Sequence, residues 1–197
     1  LDLQGAPQAL VAAMREGVCG IGPLQIRDAD RLTVTLGAQV TGWDPEARFS
    51  ARELTLYDRA TQFAIEAGRQ AVAEAGLVFD PGLAEAAGVI LGTAGGGLGT
   101  VDDSYRTVYQ EGKDRVHPFT VPRLMHSAAV SALTMAHGLH GPSFSVSSAC
   151  ASSNHAMALA FQTIRSGAAP VMLTGGGGAV LCFGGVEGWG GGRVTAG

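Results

Sequence analysis

Short runs of apolar residues alternate along this chain with longer segments in which apolar residues recur every three or four positions. Residues 87–92 and 170–174 are continuous apolar runs, the pattern of strands buried on both faces of a parallel sheet. A third short strand is predicted just before Cys150. The alternation of residues 32–40 predicts a further, half-exposed strand.

Five segments with helical periodicity lie between or beside these strands. The helices are predicted at residues 6–16, 51–75, 101–110 and 125–137, and from the residues after Cys150 to Arg165. Ser50 and Glu53 form a capping-box pattern at the start of the longest helix, and Gly76 ends it. Because strands and helices alternate, the sequence predicts an α/β fold with a mainly parallel sheet.

Proline and glycine interrupt this pattern at three places. Residues 117–122 contain two prolines, each of which restricts the residue before it, so this segment is predicted to be extended. The glycines of residues 93–99 do not fit a nucleotide-binding motif, and they suit a backbone that passes close to a bulky neighbour. From Gly175 onward glycine dominates, and its backbone entropy disfavours regular secondary structure. We therefore separate residues 1–174 from a glycine-rich segment, 175–197.

The composition is that of a compact, well-buried protein, with 46% apolar and 15% charged residues. The formal net charge is −4 and no basic run is present, which argues against a nucleic-acid partner. No apolar run approaches the length of a membrane span. The three cysteines, Cys19, Cys150 and Cys182, have no paired spacing, which suits a reducing compartment. We expect a cytoplasmic protein that uses no metal or other cofactor.

Cys150 is the residue with the clearest chemical potential. It is predicted to lie in a tight turn between a strand and a helix, with serine and alanine on both sides. Small neighbours leave room for a reacting carbon atom, and the partial positive charge of a helix start favours the thiolate. The alternative is a cysteine that packs as a small apolar residue at the edge of the core. The local pattern leaves both interpretations open.

None of the five histidines is a clear partner for this cysteine. His155 lies about one and a half turns along the same predicted helix, a poor position for proton transfer to a sulfur at the helix start. We therefore expect His155 to have a packing role. His137 and His140 flank the end of another predicted helix, where a cation complements the dipole.

Residues 141–152, with the sequence GPSFSVSSACAS, resemble the active-site segment of the β-ketoacyl-acyl carrier protein synthases of the elongating type. These are condensing enzymes of the thiolase superfamily. Collinear matches occur at residues 17–23, 57–62, 88–92, 118–122 and 171–176. The residues Phe183, Trp189, Arg193 and Val194 are similar to a branch that includes nodulation-type synthases.

The resemblance implies a layered α/β/α/β/α fold of two similar halves, of which residues 1–174 would be the N-terminal half. It implies that Cys150 takes an acyl group from a carrier-protein thioester and that the carbanion of a decarboxylated malonyl thioester attacks it. The family's two catalytic histidines and its lysine are expected in the second half, beyond this chain. The implied partners are acyl carrier protein, acyl and malonyl thioesters, and a second copy of the chain in a homodimer.

Two departures from the family pattern concern the acyl pocket. Gly95 stands where many such synthases have a branched apolar residue that limits the pocket, and Thr120 stands where they often have a phenylalanine. Because both changes remove bulk, the resemblance predicts a roomy acyl pocket near the dimer interface. Arg52 and Arg115 match a basic cluster that meets the acidic carrier protein in family members. The alternative for these two arginines is a solvated surface charge.

Two other functions remain open. One is a non-catalytic acyl-binding or chain-length-factor-like subunit that partners a full synthase, although the family's chain-length factors lack the cysteine. The other is a thiolase-like acyltransferase, which would use the cysteine without decarboxylation. Selective reactivity of Cys150 separates the first from an enzyme, and malonyl decarboxylation separates the second from a synthase.

Overall fold

The computed structural model describes residues 7–191 and divides them into two compact units. The larger unit contains residues 52–180, and the smaller one contains residues 7–51 and 181–191. Within the described residues, no helix is both long enough and apolar enough to cross a membrane.

Helices outnumber strands in the described chain. The helices are α1 (Pro7–Arg15), α2 (Ala51–Leu56), α3 (Arg59–Glu74), α4 (Pro81–Ala86), α5 (Leu98–Tyr105), α6 (Thr120–Leu124), α7 (Ala128–His137), α8 (Ser152–Arg165) and α9 (Phe183–Gly191). The strands are β1 (Ile21–Pro23), β2 (Leu36–Ala38), β3 (Gly88–Gly92), β4 (Ser143–Val146) and β5 (Met172–Gly176). A short 3-10 helix spans Ala29–Arg31, and a π-helix at Arg106–Gln110 continues α5.

The larger unit is built on a three-stranded parallel sheet in the order β4–β3–β5. The mainly parallel sheet predicted from the apolar runs is therefore confirmed. The register pairs Gly92 of β3 with Val146 on one side and with Gly176 on the other. Since the strands are parallel, these three residues mark one edge of the sheet.

Helices cover both faces of this sheet. Successive side chains of β3 point to opposite faces, and the apolar ones on each face are buried by a helix. Val89 belongs to a buried cluster that includes Leu133 of α7. Its neighbour Ile90 packs in a separate cluster with Ala156 and Ala160 of α8. The small alanine side chains let α8 lie close to β3, and α8 also contacts β4 and β5. The helix that follows Cys150 is thus fixed against all three strands.

The predicted long helix at residues 51–75 is in fact two helices, α2 and α3. Asp58 lies between them with extended backbone, and its side chain accepts a hydrogen bond from Ala60 N at 2.9 Å. This bond is an N-cap, so the chain starts a new helix at Arg59 instead of continuing the first. The prediction of one continuous helix was wrong because it overlooked this cap. Gly76, with a φ of 61°, follows the end of α3 as predicted.

The segment at residues 117–122 was predicted to be extended, but it turns into α6 at Thr120. Thr120 N donates to His117 O at 2.9 Å. Pro122 occupies the first turn of the helix, where a backbone N–H has no acceptor within the helix. Proline is therefore compatible with α6, and the prediction was wrong from Thr120 onward.

In the smaller unit, β1 and β2 form an antiparallel ribbon. The strand predicted at residues 32–40 is real but shorter, because only Leu36–Ala38 pairs with β1. The buried core of this unit consists of Leu24, Leu32 and Val186.

α9 lies within the glycine-rich segment 175–197, where we expected glycine to prevent regular structure. Val186 of this helix is only 4% exposed. The guanidinium carbon of Arg31 lies 4.8 Å from the centre of the Phe183 ring. Burial and stacking of these side chains offset the conformational entropy that the glycines lose in a helix.

Candidate active site

The candidate site lies at the edge of the larger unit's sheet where the three parallel strands end. Beyond the last paired residues, Thr93 N donates to Val146 O at 3.0 Å and Gly177 N donates to Gly92 O at 3.1 Å. These bonds hold the loops after β3, β4 and β5 side by side. In α/β proteins this edge of the sheet is where ligands bind, because loops of several strands converge there.

Cys150 lies in the turn that joins β4 to α8, as the sequence predicted. Ala149 has a φ of 50°, in the left-handed region, which costs a residue with a Cβ atom about 1 kcal/mol. Ser152 ties the turn together, since its Oγ accepts from Ser148 N at 2.9 Å and donates to Ala149 O at 2.7 Å. The Cys150 side chain is exposed on this turn, so a substrate can reach its sulfur.

Two glycines allow the strands to approach the start of α8. A Cβ atom on Gly92 would overlap the backbone of Ser152 and Ser153. A Cβ atom on Gly176 would overlap Ser153 Oγ and the Gly92 carbonyl oxygen. Close approach of backbone therefore requires glycine at both positions. The start of α8 is held directly against the ends of β3 and β5.

The dipole of α8 adds an electrostatic contribution at this point. Cys150 precedes the cap residue Ala151, and the helix runs for 14 residues with Arg165 in its last turn. The N–H groups of the first helical turn carry partial positive charge, which favours negative charge beside them. A thiolate or a developing oxyanion at this turn would be stabilised.

His155 lies on α8 near Cys150 and is exposed. Its Nδ1 atom is 2.7 Å from Ser148 Oγ, a hydrogen bond that spans the Cys150 turn. Within the described residues the buried residues of α8 are Ser152, Ala156 and Ala160, and His155 is not among them. Sequence reasoning missed this pair because Ser148 reaches the histidine only through the sharp turn at Ala149.

The loop after β3 packs against α6 through its glycines. Gly97 N donates to Leu124 O at 3.2 Å, and a Cβ atom on Gly96 or Gly97 would overlap the backbone of residues 123–124. The expectation that this loop passes close to a bulky neighbour is confirmed. Gly95 begins the glycine run, and a Cβ atom there would lie 3.0 Å from Val180 Cγ1.

Thr120 is the first residue of α6, the helix that the glycine loop contacts. It is 8% exposed, and its hydroxyl has no hydrogen-bond partner within the described residues. The glycine loop contacts α6 through Gly96 and Gly97, whereas a Cβ atom on Gly95 would meet Val180 and Leu98. A buried hydroxyl without a partner is a group that further protein or a ligand would satisfy.

Asp58 fixes the helix that follows the glycine loop. It is 2% exposed, and its Oδ2 accepts from Thr100 N at 3.0 Å and from Thr100 Oγ1 at 2.6 Å. Because Asp58 also caps α3, one carboxylate joins two helices. Only the cap has a local sequence pattern; the contact with Thr100 has none, since 42 positions separate the two residues.

The two arginines predicted to dock a carrier protein are both exposed. Arg52 lies on α2, and Arg115 lies in the loop before α6. Lys113 in the same loop forms an ion pair with Glu111 at 2.8 Å.

Relatives of this chain are found along almost its entire length. A family profile described as β-ketoacyl synthase, N-terminal domain, matches residues 3–196. Nodulation protein E of Rhizobium sp. (strain N33) is 41% identical over 183 residues, which are 93% of this chain and 45% of that protein. 3-Oxoacyl-(acyl-carrier-protein) synthase 2 of Staphylococcus aureus is 32% identical over 161 residues, 82% of this chain and 40% of that protein. The chain therefore spans less than half the length of these relatives.

The nodulation protein agrees with the resemblance seen at the end of the chain. Two of the four residues that carry it, Arg193 and Val194, lie outside the described residues.

Solved structures share the fold. A β-ketoacyl synthase from Burkholderia phymatum STM815 matches with a TM-score of 0.82 at 22% identity, over 97% of this chain and 47% of that one. A second match is to a chain in the structure of a type II PKS acyl-carrier protein in complex with its ketosynthase bound to the hexaketide. Its TM-score is 0.70 at 20% identity, over 77% of this chain and 44% of that one. The predicted thiolase-like α/β fold is confirmed. Together with the family profile, these matches show that the chain belongs to the β-ketoacyl synthase family and contains its N-terminal domain.

Proposed function

We propose that the complete protein is a β-ketoacyl-acyl carrier protein synthase that condenses an acyl group held on Cys150 with a malonyl unit, in fatty-acid or polyketide-type synthesis. The observation that carries the proposal is the exposed Cys150 at the start of α8, in a turn where Ala149 has a left-handed backbone conformation. The turn stands in a chain of this family, at the edge of the sheet where the loops converge.

The first half of the reaction is acyl transfer. Cys150 Sγ attacks the carbonyl carbon of an acyl thioester, and the carrier thiol leaves with the proton that the Cys150 thiol has lost. The carbonyl oxygen becomes an oxyanion in the transition state. The Cys150 backbone N–H and the positive end of α8 would stabilise that charge.

The second half is condensation. A malonyl thioester loses carbon dioxide, its carbanion attacks the acyl carbonyl carbon, and the carbon–sulfur bond to Cys150 breaks to release the β-ketoacyl product. The groups expected to assist decarboxylation, two histidines and a lysine, would lie beyond this chain. Residues 1–174 would form the N-terminal half of the thiolase-like domain.

The acyl chain would run past Gly95 and Thr120. Support comes from their small side chains and from the buried Thr120 hydroxyl, which has no hydrogen-bond partner within the described residues. A pocket with small residues at both positions would accept long or stiff acyl chains.

Arg52 and Arg115 would dock an acidic acyl carrier protein. Both are exposed and positively charged, and a ketosynthase with this fold has been solved together with its acyl-carrier protein. The complete enzyme would act as a cytoplasmic homodimer.

Selective labelling of cysteine tests the function. The full-length protein is treated with iodoacetamide or with cerulenin, and the adducts are mapped by mass spectrometry. We expect Cys150 to react faster than Cys19, which is also exposed and serves as an internal control. The variant Cys150→Ala should lose this adduct together with acyl transfer and condensation.

Two outcomes would favour the other functions. Equal labelling of Cys150 and Cys19, with no acyl transfer, would indicate a non-catalytic acyl-binding or chain-length-factor-like subunit. Acyl transfer without release of carbon dioxide from a malonyl thioester would indicate a simple acyltransferase.

A further inference from the structure

Two hydrogen-bonded ties hold the turn that carries Cys150. The first is internal, because Ser152 is 3% exposed and bonds both Ser148 N and Ala149 O. The second lies at the surface, where Ser148 Oγ meets Nδ1 of His155 at 2.7 Å. Both ties start at Ser148, one from its backbone and one from its side chain.

The second tie spans the part of the turn that is least stable by itself. Ala149 has a positive φ, which an alanine adopts only when surrounding contacts require it. The Ser148–His155 bond connects the residue before Ala149 to the first turns of α8, so it closes a ring around Ala149 and Cys150. The backbone N–H of His155 donates to Ala151 O at 3.0 Å, which fixes the histidine backbone in the helix.

Packing within the described residues does not account for His155. Its side chain is exposed, while Ala156 and Ala160 form the buried face of α8 against β3. Within the described residues, the hydrogen bond that its ring makes is to Ser148.

We propose that Ser148 and His155 are a positioning pair for the nucleophile, which holds the turn so that Cys150 Sγ stays at the positive end of α8. The Ser148 hydroxyl and Nδ1 share one hydrogen bond, in which the hydroxyl donates when Nδ1 carries no proton and accepts when it does. Both residues would act through the conformation of the turn and not on the reacting atoms. This inference rests on the proposed acyl transfer to Cys150.

The experiment uses the full-length protein and six variants. His155→Ala and Ser148→Ala each remove the bond, and the double variant removes both partners. His155→Asn keeps an acceptor oxygen near the place of Nδ1, and Ser148→Thr keeps the hydroxyl. Gln162→Ala is the matched control, an exposed residue two turns further along the same helix.

Single-turnover acylation of Cys150 by an acyl carrier thioester is the first readout. Each alanine variant should slow acylation about five- to tenfold, the factor expected for one neutral hydrogen bond. The double variant should be no slower than the slower single variant, because both remove the same interaction. In steady state kcat should fall while KM for the acyl carrier thioester stays unchanged. His155→Asn, Ser148→Thr and Gln162→Ala should remain within about twofold of the wild type.

The rate of iodoacetamide alkylation at Cys150 is the second readout, and it needs no substrate. It should fall by a similar factor in both alanine variants and recover in the two conservative ones. If the wild type is not acylated, the proposed function fails, and the alkylation rates still decide the role of the pair. Wild-type rates in His155→Ala and Ser148→Ala, or multiplied effects in the double variant, would overturn the inference. Should His155→Ala fail to fold, Ser148→Ala makes the same test with the loss of one oxygen atom.

Discussion

Two aspartates cap helices in the larger unit, and the fold depends on them to different degrees. Asp80 is exposed, and its Oδ1 accepts from Leu83 N at 2.8 Å. Asp58 is buried and uses both oxygens, because Oδ2 accepts two hydrogen bonds from Thr100 while Oδ1 caps α3. An asparagine can serve as a cap, but its NH₂ group cannot accept a hydrogen bond.

We therefore expect Asp58→Asn to lower the free energy of unfolding by about 2 kcal/mol, because two donors of Thr100 would face an amide NH₂ group. The matched variant Asp80→Asn should change it by less than about 0.5 kcal/mol. Urea unfolding of the full-length protein measures both values. Similar effects of the two variants would show that the Asp58–Thr100 contact contributes little.

His137 links stability to pH. It ends α7, where the helix dipole would favour a cation, yet burial, and to a lesser extent the charge of Arg69, lower the pKa of His137 below its ordinary value. Its ring packs 5.7 Å from Phe79. Because the folded state binds the proton more weakly, the contribution of His137 is fully present above the unfolded pKa of about 6.5 and declines as pH falls through it.

The melting temperature should accordingly drop between pH 7.5 and pH 5.5, and drop less in His137→Gln than in the wild type. His140→Gln is the control, since His140 is exposed near the same helix end. An equal pH dependence in all three proteins would mean that other groups control it.

At the scale of elements, the sequence predicted the helices, strands and turns that depend on residues close together in the chain. The strand, turn and helix around Cys150 were all predicted from local features of residues 141–165, chiefly small residues and helical periodicity. The break between α2 and α3 was missed because the apolar stripe continues across it while Asp58 starts a new helix. The start of α6 was missed because proline disrupts a helix everywhere except its first turn. The Asp58–Thr100 and Ser148–His155 contacts depend on chain reversals that periodicity does not encode.

The close packing of the start of α8 against β3 requires a residue without a Cβ atom at position 92. An alanine Cβ at residue 92 would overlap the backbone of Ser152 and Ser153, so Gly92→Ala must push the start of α8 away from β3. We expect a loss of about 3 kcal/mol of stability or more, together with slower alkylation of Cys150. Gly177→Ala, at the same edge but with open space around its Cβ, should stay within about 1 kcal/mol of the wild type. Thermal melting and the alkylation rate measure both effects. A wild-type alkylation rate in Gly92→Ala would contradict the close packing of α8 against β3.

At the scale of the whole molecule, the exposed apolar side chains fit a domain that belongs to a larger protein. Phe144 of β4 is 43% exposed, and on α8 Phe161 is 64% and Ile164 is 43% exposed. Large apolar side chains grouped on one helix and the adjacent strand are typical of surfaces that pack against further protein. Periodicity could not separate them from core residues, because α8 has apolar residues on both its sheet-facing and its outer side.

The length of acyl chain that the proposed enzyme accepts is the property that Gly95 most directly predicts. A Cβ atom on Gly95 would already lie 3.0 Å from Val180 Cγ1, so a branched side chain there must displace its neighbours or fill the proposed pocket. We expect Gly95→Ile to lower kcat/KM for tetradecanoyl thioesters at least about tenfold, a loss of about 1.4 kcal/mol of transition-state binding, and to change acetyl and butyryl thioesters by less than about twofold. Gly188→Ala, in open space on α9, is the control. If the wild type already used only acetyl and butyryl thioesters, or if Gly95→Ile slowed all chain lengths equally, Gly95 would not border the acyl pocket.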